Sequence, residues 1–266
     1  MKNNITYILP IHEYNENVKG YLDKLLPTVK ESSQNVKDKL FIVGPKQTTT
    51  NVKGLAEGYG IQNVTLIDND ETNLFTQINK GVMKCTSKYF CILEYDDVLR
   101  PFWPVAAEPY MKENSEASIF MPIVRLYDEK NKVTSFSNEV AWAISFTENM
   151  GQIDLKMMEN YMDYTLSGAL IKTEAFISAG MLKPSLSIAA VYEFLMRMAY
   201  KGNKIFVVPK CGYVHTINRE GSFYKTETSK ITQDEAMFYI KTAKQEYFFD
   251  NDRNIKYEKK DDKNKE

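Results

Sequence analysis

The stretch Tyr89-Phe90-Cys91-Ile92-Leu93-Glu94-Tyr95-Asp96-Asp97-Val98-Leu99 decides how the rest of the chain is read. Its first five residues form a continuous apolar run of strand length, the pattern of a strand buried on both faces. The run opens directly onto an acidic turn, Glu94-Tyr95-Asp96-Asp97.

Working outward, the same kind of strand recurs upstream. Ile5-Thr6-Tyr7-Ile8-Leu9-Pro10, Lys39-Leu40-Phe41-Ile42-Val43 and Asn63-Val64-Thr65-Leu66-Ile67 are three more. Helical spacing separates them. Val18, Tyr21, Leu22, Leu25 and Leu26 recur on one face of a predicted helix over 17–29, and a second helix is predicted over 75–84. Buried strands alternating with helices predict a mostly parallel central sheet with helices on both faces. Ligands in such sheets bind beyond the carboxyl ends of the strands, here the segments 10–16, 44–50, 68–71 and 94–97. Three of the four are rich in acidic or amide side chains.

The downstream half reads as strands over 118–126, 132–137, 166–172 and 204–208, the first two compatible with antiparallel pairing. Thr173 and Ser187 are expected to N-cap helices over 173–179 and 187–201, each closed by a glycine, Gly180 and Gly202. A last helix is predicted from about 232 to 249. Residues 1–231 are thus expected to form one domain with the helix 232–249 packed on it. The Lys-, Asp- and Asn-rich end, 250–266, has too little apolar surface to order itself and is expected to be a charged mobile tail.

The 266 residues are 43% hydrophobic and 12% aromatic, enough for a large core, with a net charge of -1. That balance gives no basic excess, so nucleic acid is not expected as a partner. Cys85, Cys91 and Cys211 form no CxxC or zinc pattern with His12 and His215, and read as reduced thiols. No secretory leader and no apolar run of membrane-spanning length is visible, so a cytoplasmic protein without a transmembrane segment is expected. Association into a homo-oligomer is compatible with all of this.

Three ordered blocks resemble the signature segments of family 2 glycosyltransferases with the GT-A fold. The first is Ile5–Pro10 with Asn15-Glu16. The second is Asn79-Lys80-Gly81 followed by the strand and acidic turn quoted above. The third runs from Ser167-Gly168-Ala169 through Gly180 and Tyr192-Glu193-Phe194-Leu195-Met196-Arg197 to Arg219-Glu220-Gly221-Ser222. Together they span about residues 5–225. The resemblance implies an α/β fold of the nucleotide-diphospho-sugar transferase type. It also implies a nucleotide-sugar donor, a UDP-sugar before others, an acceptor hydroxyl of unknown identity, and Mn²⁺ or Mg²⁺ as cofactor.

In that family an acidic DxD turn holds the cation against the donor diphosphate, whose charge must be neutralised as the leaving nucleotide departs. By resemblance, Glu94 and Asp96 are the expected metal ligands, with Glu94 in place of the usual first Asp. His215 is a further candidate ligand or an ordinary partly buried histidine. Asn15, Asp68, Asn79 and Arg219 are expected around the donor, Arg219 at the position where family members often carry histidine.

Two positions depart from the family pattern. Gly44-Pro45-Lys46-Gln47 stands where a carboxylate usually meets the nucleoside, and Ala190-Val191 stands where the acidic pair with the general base belongs. Neither Ala190 nor Val191 can accept a proton. Glu193 is the nearest carboxylate, but two residues along a helix rotate by about 200°, and its spacing to Arg197 suits an exposed i,i+4 ion pair. Two functions therefore fit: a metal-dependent glycosyltransferase, or a catalytically degenerate GT-A-fold protein acting as a binding or structural module. No glycine-rich phosphate loop supports an unrelated nucleotide-binding protein.

Overall fold

The computed structural model describes residues 4–33, 37–143, 149–217, 219 and 222–244. The first half runs β1 (Ile5–Pro10), α1 (Glu16–Ser32), β2 (Lys39–Gly44), α2 (Lys46–Gly58), β3 (Val64–Asp68), α3 (Leu74–Met83) and β4 (Tyr89–Ile92). Next come β5 (Val98–Leu99), α4 (Trp103–Glu113), β6 (Ile119–Tyr127), β7 (Val133–Ser137), β8 (Gln152–Ile153) and α5 (Leu155–Asn160). The rest comprises β9 (Leu170–Lys172), α6 (Thr173–Ser178), α7 (Ala190–Tyr200), β10 (Ile205–Thr216), α8 (Phe223–Thr228) and α9 (Gln233–Ala243).

These strands make one sheet in the order β3-β2-β1-β4-β9-β6-β10-β5, with β7 on β6 and β8 on β10. The pairs β3–β2, β2–β1, β1–β4 and β6–β10 are parallel, and β9 runs antiparallel between β4 and β6. The parallel run β3-β2-β1-β4 and the long parallel pair β6–β10 form the expected central sheet, β5 and β8 pair antiparallel with β10, and β6 and β7 pair antiparallel as their sequence allowed.

Period-two alternation explains how both faces are covered. On β1, Tyr7 and Leu9 pack with Val18, Leu22 and Leu25 of α1 and with Trp103 of α4. Ile8 between them packs on the opposite face with Phe75, Ile78 and Val82 of α3 and Phe194 of α7. Gly81 lets α3 sit close: a Cβ there would lie 2.8 Å from Ile8 Cγ2. On the α3 face, Ala243 of α9 is fully buried, Tyr239 and Ile240 pack beside it, and Lys244 Nζ donates to the Glu159 carbonyl at 2.9 Å. The remainder of the helix predicted to 249, and the tail 250–266, lie outside the described residues.

Several local expectations are corrected. The segment 44–50 is no ligand loop, because α2 begins at Lys46. Its buried face is Thr48, Thr49, Val52 and Ala56, too polar to read as an apolar stripe. Helix α4 was hidden by Pro104 and Pro109; Pro104 lies in the first turn, where its missing N–H costs nothing. Thr173 does not cap α6, since Lys172 holds that position and the Thr173 hydroxyl donates to the Ser87 carbonyl. Nor does Ser187 cap α7, which starts at Ala190 after a tight 3-10 turn, Pro184–Ala189. The strand expected to stop at Pro209 continues to Thr216, passing the proline where the β6 register shifts, a setting that tolerates its lack of an N–H.

Candidate functional site

The site is built where β4 ends. Leu93 donates its backbone N–H to the Ile8 carbonyl, and the Glu94 N–H is received by the buried Tyr213 hydroxyl at 2.9 Å. Asp97 closes the turn on the Glu94 carbonyl at 3.1 Å. Val98 and Leu99 then pair antiparallel with Val214 and Tyr213 of β10. This register brings the next residue of β10, His215, against the preceding residue of the turn, Asp97.

His215 Nδ1 lies 2.9 Å from both carboxylate oxygens of Asp97. Glu94 completes the group, and one ligand atom from each of Glu94, Asp97 and His215 falls within 4.8 Å of the others. The Ser167 hydroxyl donates to Glu94 Oε1 and fixes its orientation. Asp97 is fully buried, and loss of water pushes its carboxyl upward from the usual carboxylate range. Burial alone would disfavour charge on His215, but the Asp97 carboxylate overrides it and holds the imidazole pKa above its ordinary value.

Asp96, expected beside Glu94 on the cation, turns the other way. Its Oδ2 accepts from Arg219 Nε at 2.5 Å. The Arg219 guanidinium sits between two rings, 4.9 Å from the Tyr21 centroid and 5.2 Å from that of Tyr95, and Nη2 donates to the Tyr95 hydroxyl. Burial opposes its charge, while Asp96 raises its pKa. Adjacent carboxylates thus meet two different basic side chains.

Glu94 and the Asp96–Arg219 pair border a cleft of about 420 Å³, with Asp97 buried behind them. Glu94 and Asp96 form its floor, the start of α3 (Asn73–Gln77) one wall, and Arg219 with α8 the other. Asn73 caps α3 by accepting from the Phe75 and Thr76 N–H groups.

The other expected site residues lie elsewhere or act differently. Asn15 caps α1, accepting from the Val18 N–H at 3.0 Å. Asp68 ends β3 on the exposed edge of the sheet, opposite Gly44. Asn79 uses both ends of its carboxamide on the Leu182 backbone, at 2.8 and 3.2 Å. Glu193 is not half of an exposed ion pair: it is completely buried, with Arg197 Nε at 2.8 Å, Arg197 Nη2 at 2.9 Å and Lys183 Nζ at 3.0 Å. Arg197 also donates to the Ala179 and Met181 carbonyls, so this pair fastens the 179–184 loop to α7.

The residue that sequence reasoning missed is Asp97. Choosing between Asp96 and Asp97 depends on the β5–β10 register, which no local pattern reveals. As a donor set, two carboxylates and one imidazole fit a divalent ion such as Mn²⁺, which accepts oxygen and nitrogen together.

No protein-family model and no curated protein sequence matches the chain. Solved structures do. S. aureus TarS 1-349 in complex with UDP-GlcNAc superposes with a TM-score of 0.65 at 15% identity, over 90% of this chain and 65% of that one. TarS 1-349 alone gives 0.58 at 14% identity over 80% of this chain and 60% of that one, so the chain spans less than two thirds of either. A mannosyltransferase from Pyrobaculum calidifontis, in complex with GDP-Man and Mn²⁺, gives 0.62 at 13% identity over 91% and 73%. The fold is that of the GT-A glycosyltransferases.

Proposed function

We propose that this chain is a metal-dependent glycosyltransferase that takes a sugar from a nucleotide-diphosphate donor, a UDP-sugar in the first instance, to an acceptor hydroxyl. The observation that carries the proposal is the convergence of Glu94, Asp97 and His215 at the end of β4, where Glu94 lines the cleft that Arg219 also borders. The reading is supported by fold neighbours solved with UDP-GlcNAc and with GDP-Man and Mn²⁺.

Glu94, Asp97 and His215 would hold the cation, which when bound supplies charge neutralisation to the diphosphate. The protein's own contribution is positioning. Arg219, stiffened between Tyr21 and Tyr95 and anchored on Asp96, holds a fixed positive charge on the cleft that favours a phosphate. The first turn of α3 presents the positive end of a helix dipole to the same cleft. Both favour a dianionic diphosphate more as the glycosidic bond breaks and charge accumulates on it.

A second reading, a donor-binding module without turnover, is favoured by one observation: Ala190 and Val191 open α7 with no proton acceptor. A thermal-shift series with Mn²⁺ and UDP, UDP-GlcNAc or GDP-mannose tests both. Ligand at 100 times its Kd stabilises by about 2.7 kcal/mol, a readily measured rise in Tm. A series with no shift under any combination removes the donor reading altogether.

A further inference from the structure

Transfer with inversion needs a carboxylate where the acceptor hydroxyl sits, and α7 does not supply one. Glu227 reaches the segment just ahead of α7 from another direction. It projects from α8 into the same cleft that Glu94 and Asp96 floor. Its Oε2 receives the Ser187 hydroxyl at 2.9 Å, only three residues ahead of Ala190, while Oε1 receives Lys230 Nζ at 2.7 Å. Ser187 itself is strained, with φ of 45° and ψ of -123°, a conformation that costs energy for a non-glycine residue and tends to persist at working sites.

We infer that Glu227 is the general base of this chain, replacing from α8 the carboxylate missing at 190–191; the inference rests on the donor reading above. In the step, the acceptor oxygen forms a bond to the anomeric carbon as the bond from that carbon to the diphosphate oxygen breaks. The leaving nucleoside diphosphate keeps the electron pair, and the acceptor proton passes to a Glu227 carboxylate oxygen and then to water. The neighbouring ammonium of Lys230, then the Ser187 hydroxyl, hold the Glu227 pKa below its ordinary value, so the group stands ionised and ready to accept. The charged and titratable groups around it are Lys230 on its own turn and, in the same cleft, Glu94, His12 and Asp96 with Arg219.

The bland role for Glu227 is a latch tying α8 to the Pro184–Ala189 turn, and Glu227→Gln separates the two. Glutamine keeps an oxygen that can receive the Ser187 hydroxyl but cannot take a proton at neutral pH. The full chain is assayed with Mn²⁺ and UDP-GlcNAc, UDP-glucose or GDP-mannose, water serving as acceptor and nucleoside diphosphate release as readout. The expected result is unchanged donor Kd with release reduced about 100-fold or more, the range that loss of a general base produces. Added azide, a nucleophile that needs no deprotonation, should restore release in the variant. Release that matches wild type overturns the inference, as does loss of donor binding. A wild-type chain that binds donor and releases nothing also overturns it and leaves the donor reading standing; one that binds no donor removes both. Lys230→Met provides an independent check on a well-exposed side chain. It should move the acid limb of the wild-type pH–rate profile upward, and an unmoved limb counts against Glu227.

Discussion

Asp97 and His215, 118 positions apart in sequence, meet with a ring nitrogen 2.9 Å from each carboxylate oxygen. Their neighbours Asp96 and Arg219 form a second pair facing the cleft. The acidic turn therefore engages two basic side chains through adjacent carboxylates, and substitutions should separate the two pairs.

Asp97→Asn removes a carboxylate from the group with Glu94 and His215. The Mn²⁺-induced rise in Tm should disappear in this variant, with or without nucleotide. Asp96→Asn should keep the Mn²⁺ response and weaken nucleoside diphosphate binding, because it frees Arg219 from its anchor. The reverse pattern would assign the cation to Asp96. Differential scanning fluorimetry reads both.

Arg219→Lys retains charge but loses the planar fork and its stacking between Tyr21 and Tyr95. Affinity for UDP should fall by about tenfold, equivalent to the ~1.4 kcal/mol that separates decades of binding. Titration calorimetry at fixed Mn²⁺ measures it; an unchanged Kd would remove Arg219 from the donor site.

Glu193→Ala should be a stability mutant. It leaves the Arg197 guanidinium buried without its bidentate partner, a loss of about 3–5 kcal/mol. Urea unfolding should show a lower midpoint. Full stability with lost turnover would instead point to Glu193 as the base.

Gly81→Ala tests the packing that seats α3 over the sheet. The new methyl would lie 2.8 Å from Ile8 Cγ2 and 3.1 Å from Val43 Cγ2. Overpacking of this kind costs about 1–3 kcal/mol, and Tm should drop accordingly.

Much of the architecture was legible because its signals are local. The apolar runs of β1, β2 and β4 and the stripe of α1 are written in consecutive residues, and the burial patterns follow them. Helix α2 was not legible, since two threonines, Thr48 and Thr49, make up half of its buried face and leave no apolar stripe. The site was half legible. Glu94, Asp96, Arg219 and His215 were singled out, and all four do gather around one turn. Their partners could not be assigned, because partnership depends on how a two-residue strand pairs with the end of β10. Glu227 gave no signal at all: it lies on a short helix with no buried residue, and only tertiary contact brings it to Ser187.

The antiparallel join between Val98–Leu99 and the far end of β10 also bears on when the acidic turn can be organised during synthesis. A ribosome-bound fragment that ends before Ile205 would already carry the acidic turn, yet neither of the basic side chains that organise it. The two side-chain pairs of this turn should therefore form only once synthesis has passed residue 219.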